Sequence, residues 1–274
     1  MARPIITLLT DFGVTDTYVA QVKGAILRIS PEAILVDLTH DVCPQDIATG
    51  ALLLKFASPS FPDGTIHLAV VDPGVGTDRH PLLLVTPTAF FVGPDNGIFS
   101  HILTSDATNS TFSNTENPPI PPAIRGYQLT NPAYWRHPVS PTFHARDVFG
   151  PVAAHISLGV TPDKLGRRIG RARLLNLPSF VRGEQFVQGY VIHADRFGNL
   201  VTNIPGLEIQ SRSSVVHIGR TSIYGLSNNY DEGDGLLALV GSVGMLEIAV
   251  KNGNAEAFLG ISLGAPVLVE FPSI

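Results

Sequence analysis

The run IITLLT, Ile5 to Thr10, constrains the fold more than any other stretch of the chain. Its four apolar residues and two threonines end abruptly in DFG. An apolar run rich in β-branched residues is typical of a strand buried on both faces, as in a parallel sheet covered by helices. The next segment, DTYVAQVKGAILRISP, has helical spacing and ends at Pro31. A strand followed at once by a helix predicts an α/β unit.

The same pattern recurs through the first half of the chain. AILVDLT (33–39) and TIHLAVVD (65–72) have the composition of further buried strands, and DIATGALLLKFASPSFP between them has helical spacing. Alternating strands and helices indicate a three-layer α/β domain with a mostly parallel sheet. A polar, proline-rich stretch over 106–122 predicts an exposed loop, after which VFGPVAAHISLGVTPDKLG returns to helical spacing.

The last third of the chain differs in character. It contains short strand-like runs separated by glycine, asparagine and aspartate: FVQGYVIHAD, LVTNIPG, SSVVHIG, GLLALVG, MLEIAV and APVLVEF. Their spacing predicts a C-terminal domain that is an antiparallel β-barrel or sandwich. We therefore expect an α/β domain over 1–178 and a β-barrel-like domain over 187–274.

Composition excludes several classes of protein. Of the 274 residues only 15% are charged, the net charge is −5, and no basic patch stands out, so we expect no nucleic-acid partner. The single cysteine, Cys43, excludes an internal disulfide framework, and we expect it to be a buried, unreactive thiol. No apolar run approaches the ~18 residues of a membrane span. These features predict a soluble, cytoplasmic protein without a membrane partner.

Two aspartates follow predicted buried strands. Asp11 follows IITLLT, and Asp72 ends TIHLAVVD and opens the stretch DPGVGTDR, which places Arg79 seven residues later. Ligands of open α/β sheets bind at the carboxyl ends of the strands, so both aspartates are candidate site residues. The alternative is that each aspartate only caps the turn that follows it. The glycines of GVGTDR match no phosphate-binding loop.

Two further stretches carry candidate site residues. TFHARDVFGP contains His144, either at an ordinary helix start with Arg146 and Asp147 as a local pair, or facing a cleft shared with Asp72 and Arg79. DRFGNLVTNI has the pattern of a hairpin turn, but Phe197 and Asn199 could also stack on and hydrogen-bond to a flat heterocycle.

A hydrolytic metal site is a weaker alternative. The side chains that could supply oxygen and nitrogen ligands are Asp11, His40, Asp72, His144 and Asp147. They lack the HExxH or HxH spacing of common metal sites, and arginines beside them would oppose a cation. We therefore expect neither a metal nor an organic cofactor.

Six motifs in order resemble one known family: LLTDFG..D.YVAQVKG, VVDPGVGT.R, GPDNGIF, TFHARDVF, D.FGNLVTNI and GMLEIAV..GNA. This is the family of S-adenosyl-L-methionine hydroxide adenosyltransferases, which form adenosine and are related to fluorinating and chlorinating enzymes acting on the same substrate. The resemblance extends from Ile5 to about Gly260. It implies an α/β domain followed by a β-barrel-like domain, and a homotrimer whose active sites lie between subunits.

The resemblance also implies roles for individual residues. The family's catalytic Asp–Arg–His set falls on Asp72, Arg79 and His144. The positions that contact the substrate are Asp11 at the ribose hydroxyls, Asp16 near the amino-acid end, Phe143 beside the catalytic histidine, Asp195, Phe197 and Asn199 around the methionine and the adenine, and Ser242, Glu247 and the Val250 backbone in the rest of the adenosine pocket.

The departures from the family's halide-using members are informative. Those enzymes carry a tyrosine where this chain has Asp72, and the fluorinating ones carry a serine at Ala145. A carboxylate would repel an anion, so the resemblance favours water over halide as the nucleophile. An arginine near the substrate carboxylate in the fluorinating enzymes corresponds to Val243. The competing hypothesis is a sensor that binds adenosine or S-adenosylmethionine without turnover.

Overall fold

The computed structural model describes residues 3–104, 117–210, 213–232 and 235–272. The contacts between residues divide the chain into two compact units, Met1–Asn176 and Leu177–Ile274. We call them the N-terminal unit and the C-terminal unit. Most of the loop predicted over 106–122 lies outside the described residues.

The N-terminal unit is built on a seven-stranded sheet with the order β2-β1-β3-β5-β4-β6-β7. Pairing is parallel from β2 through β1 and β3 to β5, and antiparallel from β5 through β4 and β6 to β7. The strands are β1 Ile5–Thr10, β2 Ile34–Thr39, β3 Thr65–Val70, β4 Pro81–Val85, β5 Ala89–Pro94, β6 Arg125–Leu129 and β7 Gly166–Ile169.

Helices cover both faces of this sheet, as the nearly complete burial of its central strands β1 and β3 requires. The α-helices of the unit are α1 Tyr18–Leu27, α2 Ile47–Ala57, α3 Ser100–Leu103, α4 Gly150–Ser157 and α5 Pro162–Leu165; a π-helix, Ala145–Phe149, leads into α4. Leu8 packs in the hydrophobic cluster that contains α1 and α4 residues, whereas its neighbour Leu9 packs in the cluster that contains α2 and α3 residues. Successive strand residues thus enter opposite cores, which makes three layers.

The C-terminal unit is an eight-stranded antiparallel sheet. Its strands are β8 Val181–Arg182, β9 Phe186–Ala194, β10 Leu200–Pro205, β11 Val215–Ile218, β12 Thr221–Tyr224, β13 Leu236–Val240, β14 Met245–Val250 and β15 Pro266–Glu270. The helix α6, Ala255–Leu259, lies between β14 and β15. The order is β12-β11-β15-β9-β10-β14-β13, with β8 paired to β9. The end strands β12 and β13 are in contact, so the sheet is a nearly closed barrel around one apolar core.

These observations confirm the predicted fold class, a mostly parallel α/β sheet with an antiparallel barrel-like sheet. One prediction is wrong: Cys43 is exposed, because it lies in the loop between β2 and α2 and not in a core element. Among the described residues no helix has the length and apolar character needed to cross a membrane.

Candidate active site

The candidate site begins where β3 ends. Asp72 is the second residue after β3, and a tight turn brings the chain back so that Arg79 contacts Asp72. The Nε of Arg79 donates to Oδ1 of Asp72 at 2.9 Å, and Nη2 donates to Oδ2. Both side chains are only 5% exposed. A buried carboxylate is costly unless it is paired, and this two-point pairing stabilises Asp72 in its buried position.

The turn between these residues depends on Gly76. Its φ is +78°, a conformation that residues with a Cβ rarely adopt, and a Cβ there would lie 2.3 Å from the carbonyl oxygen of Pro141. The glycine therefore lets the loop after β3 pack directly against the loop that carries His144.

His144 completes the group. Its Nδ1 lies 2.9 Å from Nη2 of Arg79. A guanidinium can only donate hydrogen bonds, so Nδ1 must be the acceptor and the ring proton must be on Nε2. Burial, and then the positive charge of Arg79, lower the pKa of His144 below its usual 6.5. Arg79 thus holds both Asp72 and the neutral Nε2–H form of His144.

Asp147 fixes the segment that carries His144. Its carboxylate is fully buried and accepts from Arg136 at 2.7 Å, from Arg146 at 2.7 and 2.8 Å, and from the backbone N–H of Ser140 at 2.9 Å. Burial acts against its charge, but these hydrogen bonds outweigh burial and lower the pKa of Asp147 to about 2. Both interpretations of TFHARDVFGP therefore hold in part, since Arg146 and Asp147 are a local pair and His144 contacts Arg79, which also pairs with Asp72.

A pocket of about 400 Å³ opens beside this group, within the usual range for small-molecule sites. Its lining includes Asp72 and His144, the predicted Phe143, and Ala145 at the start of the π-helix. The remaining lining residues are Phe12, Tyr18, Gln21, Val70, Val75, Ser140, Thr142 and Arg146.

Three rings form one wall of the pocket. Phe12, Tyr18 and Phe143 contact each other with ring centroids 5.4 to 6.0 Å apart and planes tilted by 58° to 90°. We call them the aromatic corner. Sequence reasoning missed Phe12 and Tyr18. Phe12 follows β1 next to Asp11, so its place at a strand end is a signal that the sequence offers, whereas Tyr18 opens α1 and has no such signal.

Two predicted substrate contacts of the N-terminal unit lie outside this lining. Asp11 accepts the backbone N–H of Gln45 at 2.9 Å through Oδ2. Gln45 lies in the loop between β2 and α2, so this bond is not the cap of its own following turn that the alternative interpretation predicts. Asp16 is exposed. Neither belongs to the described residues that line the pocket, although Asp11 directly precedes the lining residue Phe12.

The C-terminal unit brings a second set of predicted residues together. Asp195 closes the turn between β9 and β10: Oδ1 accepts the backbone N–H groups of Phe197 and Asn199 at 2.8 and 2.9 Å, and Oδ2 accepts Nδ2 of Asn199 at 3.0 Å. The hairpin interpretation is therefore right about the backbone. It leaves the Phe197 ring 74% exposed and available to contact another molecule.

Glu247 lies on β14 near this turn. Tyr230, which sequence reasoning missed, donates its O–H to Oε1 of Glu247 at 2.6 Å. Burial and the nearby charge of Asp195 raise the pKa of Glu247, and the hydrogen bond to Glu247 raises the pKa of Tyr230 to about 12. A Cβ at Gly241 would come within 2.5 Å of Oε2, so a glycine there makes room for the carboxylate.

The other two predicted positions are at the ends of β14. Ser242 is exposed in the turn between β13 and β14, and Val250 is half-buried at the last position of β14, paired with Leu236. The structure places both on the same hairpin as Glu247.

The metal alternative finds no support in this geometry. Within the described parts of the chain no three His, Cys, Asp or Glu side chains are grouped to hold a metal ion. The candidate ligands Asp72 and His144 are both engaged by Arg79, and Asp147 by Arg136 and Arg146.

The fold and this site define a class of protein: an α/β unit with a hydrogen-bonded Asp–Arg–His group at a small-molecule pocket, followed by an antiparallel barrel. Comparison with known families identifies it further. The model of the SAM hydroxide adenosyltransferase N-terminal domain matches residues 6–166, and that of the C-terminal domain matches residues 189–268. The chain belongs to the SAM hydroxide adenosyltransferase family.

Individual relatives agree with this assignment. The chain is 37% identical to a Thermus thermophilus protein named (R)-S-adenosyl-L-methionine hydrolase, over 97% of this chain and 98% of the relative. A solved structure of an uncharacterized conserved protein from Thermotoga maritima matches with a TM-score of 0.85 and 31% identity, covering 96% of this chain and 99% of that one. A Nocardia brasiliensis protein named fluorinase is more distant, at 25% identity over 76% of this chain and 73% of its own length.

Proposed function

We propose that the chain is an enzyme that hydrolyses S-adenosyl-L-methionine to adenosine and L-methionine. Its family and its hydrolase relatives support this activity. The single observation that carries the mechanism is the hydrogen-bonded group of Asp72, Arg79 and His144 at the wall of the pocket. This group offers an acceptor and a donor to one water molecule.

Asp72 and His144 form different hydrogen bonds with the attacking water. Arg79 occupies Nδ1 of His144, so the histidine presents only its Nε2–H, which donates to the water oxygen. Each carboxylate oxygen of Asp72 accepts one hydrogen bond from Arg79 and keeps a further lone pair. Asp72 is therefore the group that accepts the water's proton, and His144 orients the oxygen. The sequence leaves this choice open, and the geometry supports Asp72 as the acceptor.

The leaving group needs no acid. The water oxygen attacks the ribose 5′ carbon in line with the carbon–sulfur bond, and the bonding pair passes to sulfur, which leaves as the neutral thioether of methionine. The water's proton goes to Asp72 and then to solvent. What remains for the protein is to align the oxygen with the carbon–sulfur bond and to exclude bulk water, and the burial of Asp72 and Arg79 serves the second purpose.

The same geometry disfavours two other chemistries. A halide would meet the Asp72 carboxylate, and Ala145 offers it no hydroxyl donor. A metal ion would have to displace Arg79 from both Asp72 and His144. We therefore propose that the reaction uses water and requires neither a halide, a metal nor an organic cofactor.

We also propose that the enzyme is a homotrimer, with each active site formed by the N-terminal unit of one copy and the C-terminal unit of the next. Two observations support this arrangement. The pocket beside Asp72 is lined within residues 12–146, whereas the positions that the family resemblance assigns to adenine lie in the C-terminal unit. In that unit the ring of Phe197 is 74% exposed.

The test of the activity is chromatography of the products formed from S-adenosylmethionine, with and without chloride and with a chelator. We expect equal amounts of adenosine and methionine, with no halogenated adenosine and no effect of the chelator. Asp72→Asn keeps the shape but removes the proton acceptor, and should lower kcat by about 10²- to 10⁴-fold. The matched control is Asp78→Asn, an exposed aspartate in the same turn, which should keep wild-type activity.

The outcomes separate the alternatives. Tight binding without turnover in the wild type would make the protein a sensor. A halogenated adenosine would overturn the role given to Asp72, and inhibition by the chelator would support a metal site. Full activity in Asp72→Asn would remove this residue from the mechanism while leaving the hydrolase activity intact.

A further inference from the structure

The charge of the substrate poses a question that the catalytic group does not answer. S-Adenosylmethionine carries a sulfonium cation next to the carbon that reacts. The charged side chains in the pocket wall are Asp72, which is paired with Arg79, and Arg146, which shares the Asp147 carboxylate with Arg136. Among the described residues that line the pocket, none supplies an uncompensated negative charge to attract the cation.

The aromatic corner is the remaining feature of the wall that attracts cations. Aromatic faces carry partial negative charge and bind cations within about 6 Å of the ring centroid. One of these rings already does so: the guanidinium carbon of Arg146 lies 4.8 Å from the centroid of Phe143. Phe12 and Tyr18 both contact the Phe143 ring. Tyr18 lines the pocket and is 48% exposed.

We propose that Tyr18, held by its ring contacts with Phe12 and Phe143, recognises the sulfonium charge and sets the preference of the enzyme for the cationic substrate over neutral thioethers. The proposal rests on the proposed function, since it takes S-adenosylmethionine as the ligand. In-line attack fixes the sulfur on the side of the 5′ carbon opposite the water. The sulfur then lies roughly 5 Å from the water oxygen when that oxygen is 3–3.5 Å from the 5′ carbon. In a pocket of about 400 Å³ this places the sulfur near a wall.

The chemistry determines which kinetic constant the corner affects. The sulfonium loses its positive charge as the carbon–sulfur bond breaks, so a cation–π interaction is strongest in the bound substrate and weakens toward the transition state. Such an interaction improves binding without accelerating the chemical step. Removing it should raise KM and leave kcat undiminished, unlike loss of Asp72, which should lower kcat.

The experiment compares two ligands that differ in charge. Dissociation constants for S-adenosylmethionine and for the neutral S-adenosylhomocysteine are measured by calorimetry, with Asp72→Asn in every protein to slow turnover. Adding Tyr18→Leu should weaken S-adenosylmethionine by about 2- to 30-fold and S-adenosylhomocysteine much less. Tyr18→Phe keeps the ring and should retain the preference. Tyr224→Leu, an 83% exposed tyrosine of the C-terminal unit, is the matched control and should change neither constant.

Two results would overturn the proposal. Equal weakening of both ligands by Tyr18→Leu would show that the ring provides contact area only, and loss of the preference in Tyr18→Phe would assign it to the hydroxyl. Because binding and not turnover is measured, these results are independent of whether the wild type hydrolyses S-adenosylmethionine. Absence of turnover in the wild type would overturn the proposed function alone.

Discussion

At the scale of single residues, Arg79 determines the chemical form of its neighbours. It donates twice to Asp72 and once to Nδ1 of His144. Its guanidinium also lies 5.2 Å from the centroid of Phe149, which fixes it from the side of the core. A lysine could not reproduce this, because an ammonium lacks the planar fork that meets a carboxylate at two points.

Removing Arg79 should therefore change the titration of His144. In the wild type, burial and the charge of Arg79 lower the pKa of His144 below 6.5. Arg79→Gln removes the positive charge and frees the Asp72 carboxylate to pair with the imidazolium. We expect the pKa of His144 to rise above its wild-type value, measured by NMR from the ring Cε1–H signal. His155, whose pKa is lowered by burial, is the internal control and should not move. An unchanged pKa for His144 would show that Arg79 does not control its protonation.

The sequence identified some residues of the candidate site and not others. Asp72 and His144 were identifiable because a carboxylate after a buried strand and a histidine in a charged helix start are chemically conspicuous. Phe12 and Tyr18 were not, since an aromatic residue after a strand is equally typical of packing. Tyr230 lies in the polar stretch NNYDE, and only the three-dimensional structure brings it to Glu247.

At the scale of elements, one row of side chains crosses three strands. Thr7 on β1, His67 on β3 and Phe91 on β5 are in register. The Thr7 hydroxyl lies 2.8 Å from Nδ1 of His67, and the imidazole stacks on Phe91 with centroids 4.9 Å apart. His67 is only 1% exposed, and burial lowers its pKa to about 4. The row is therefore built for a neutral histidine.

This row should make the fold sensitive to acid. The His67 imidazole binds a proton near pH 6.5 in the unfolded state and only near pH 4 in the folded state. Its contribution to stability is therefore lost as pH falls through this window and is constant above it. His67→Asn keeps an acceptor for Thr7 but cannot titrate. Between pH 7.5 and 4.5 the wild type should lose about 2–3 kcal/mol more unfolding free energy than the variant, measured by urea denaturation. Equal losses would assign acid sensitivity to other groups, such as His101, which both proteins retain.

Helices and strands were predicted where the sequence has a clear apolar pattern, and were missed where the element is too short to show one. β1 and β3 are mostly apolar runs, and both lie inside the sheet as expected. The strand–helix alternation did not show that β4 runs antiparallel between β5 and β6, because apolar strands look alike in either direction. β8 has two residues and β12 four, too few for a period to be detected.

At the scale of the whole molecule, the proposed trimer makes the activity depend on neighbouring chains. A homotrimer should have a solution mass of three times 29.2 kDa, measured by light scattering. In a closed ring, each copy gives its N-terminal unit to one site and its C-terminal unit to the next. A lesion in either unit then disables one of the two sites in which that copy takes part.

Mixed trimers test this arrangement. Asp72→Asn disables the N-terminal unit, and Ser242→Trp fills the predicted adenosine pocket from an exposed turn without disturbing a core. Co-expressed with different tags and purified through both, a ring of three with two kinds of chain has one intact site, so about a third of wild-type activity should return. Pairing Asp72→Asn with His144→Gln places both lesions in N-terminal units and should restore nothing. If neither pair recovers activity, each site is formed within one chain, and the intersubunit arrangement is wrong.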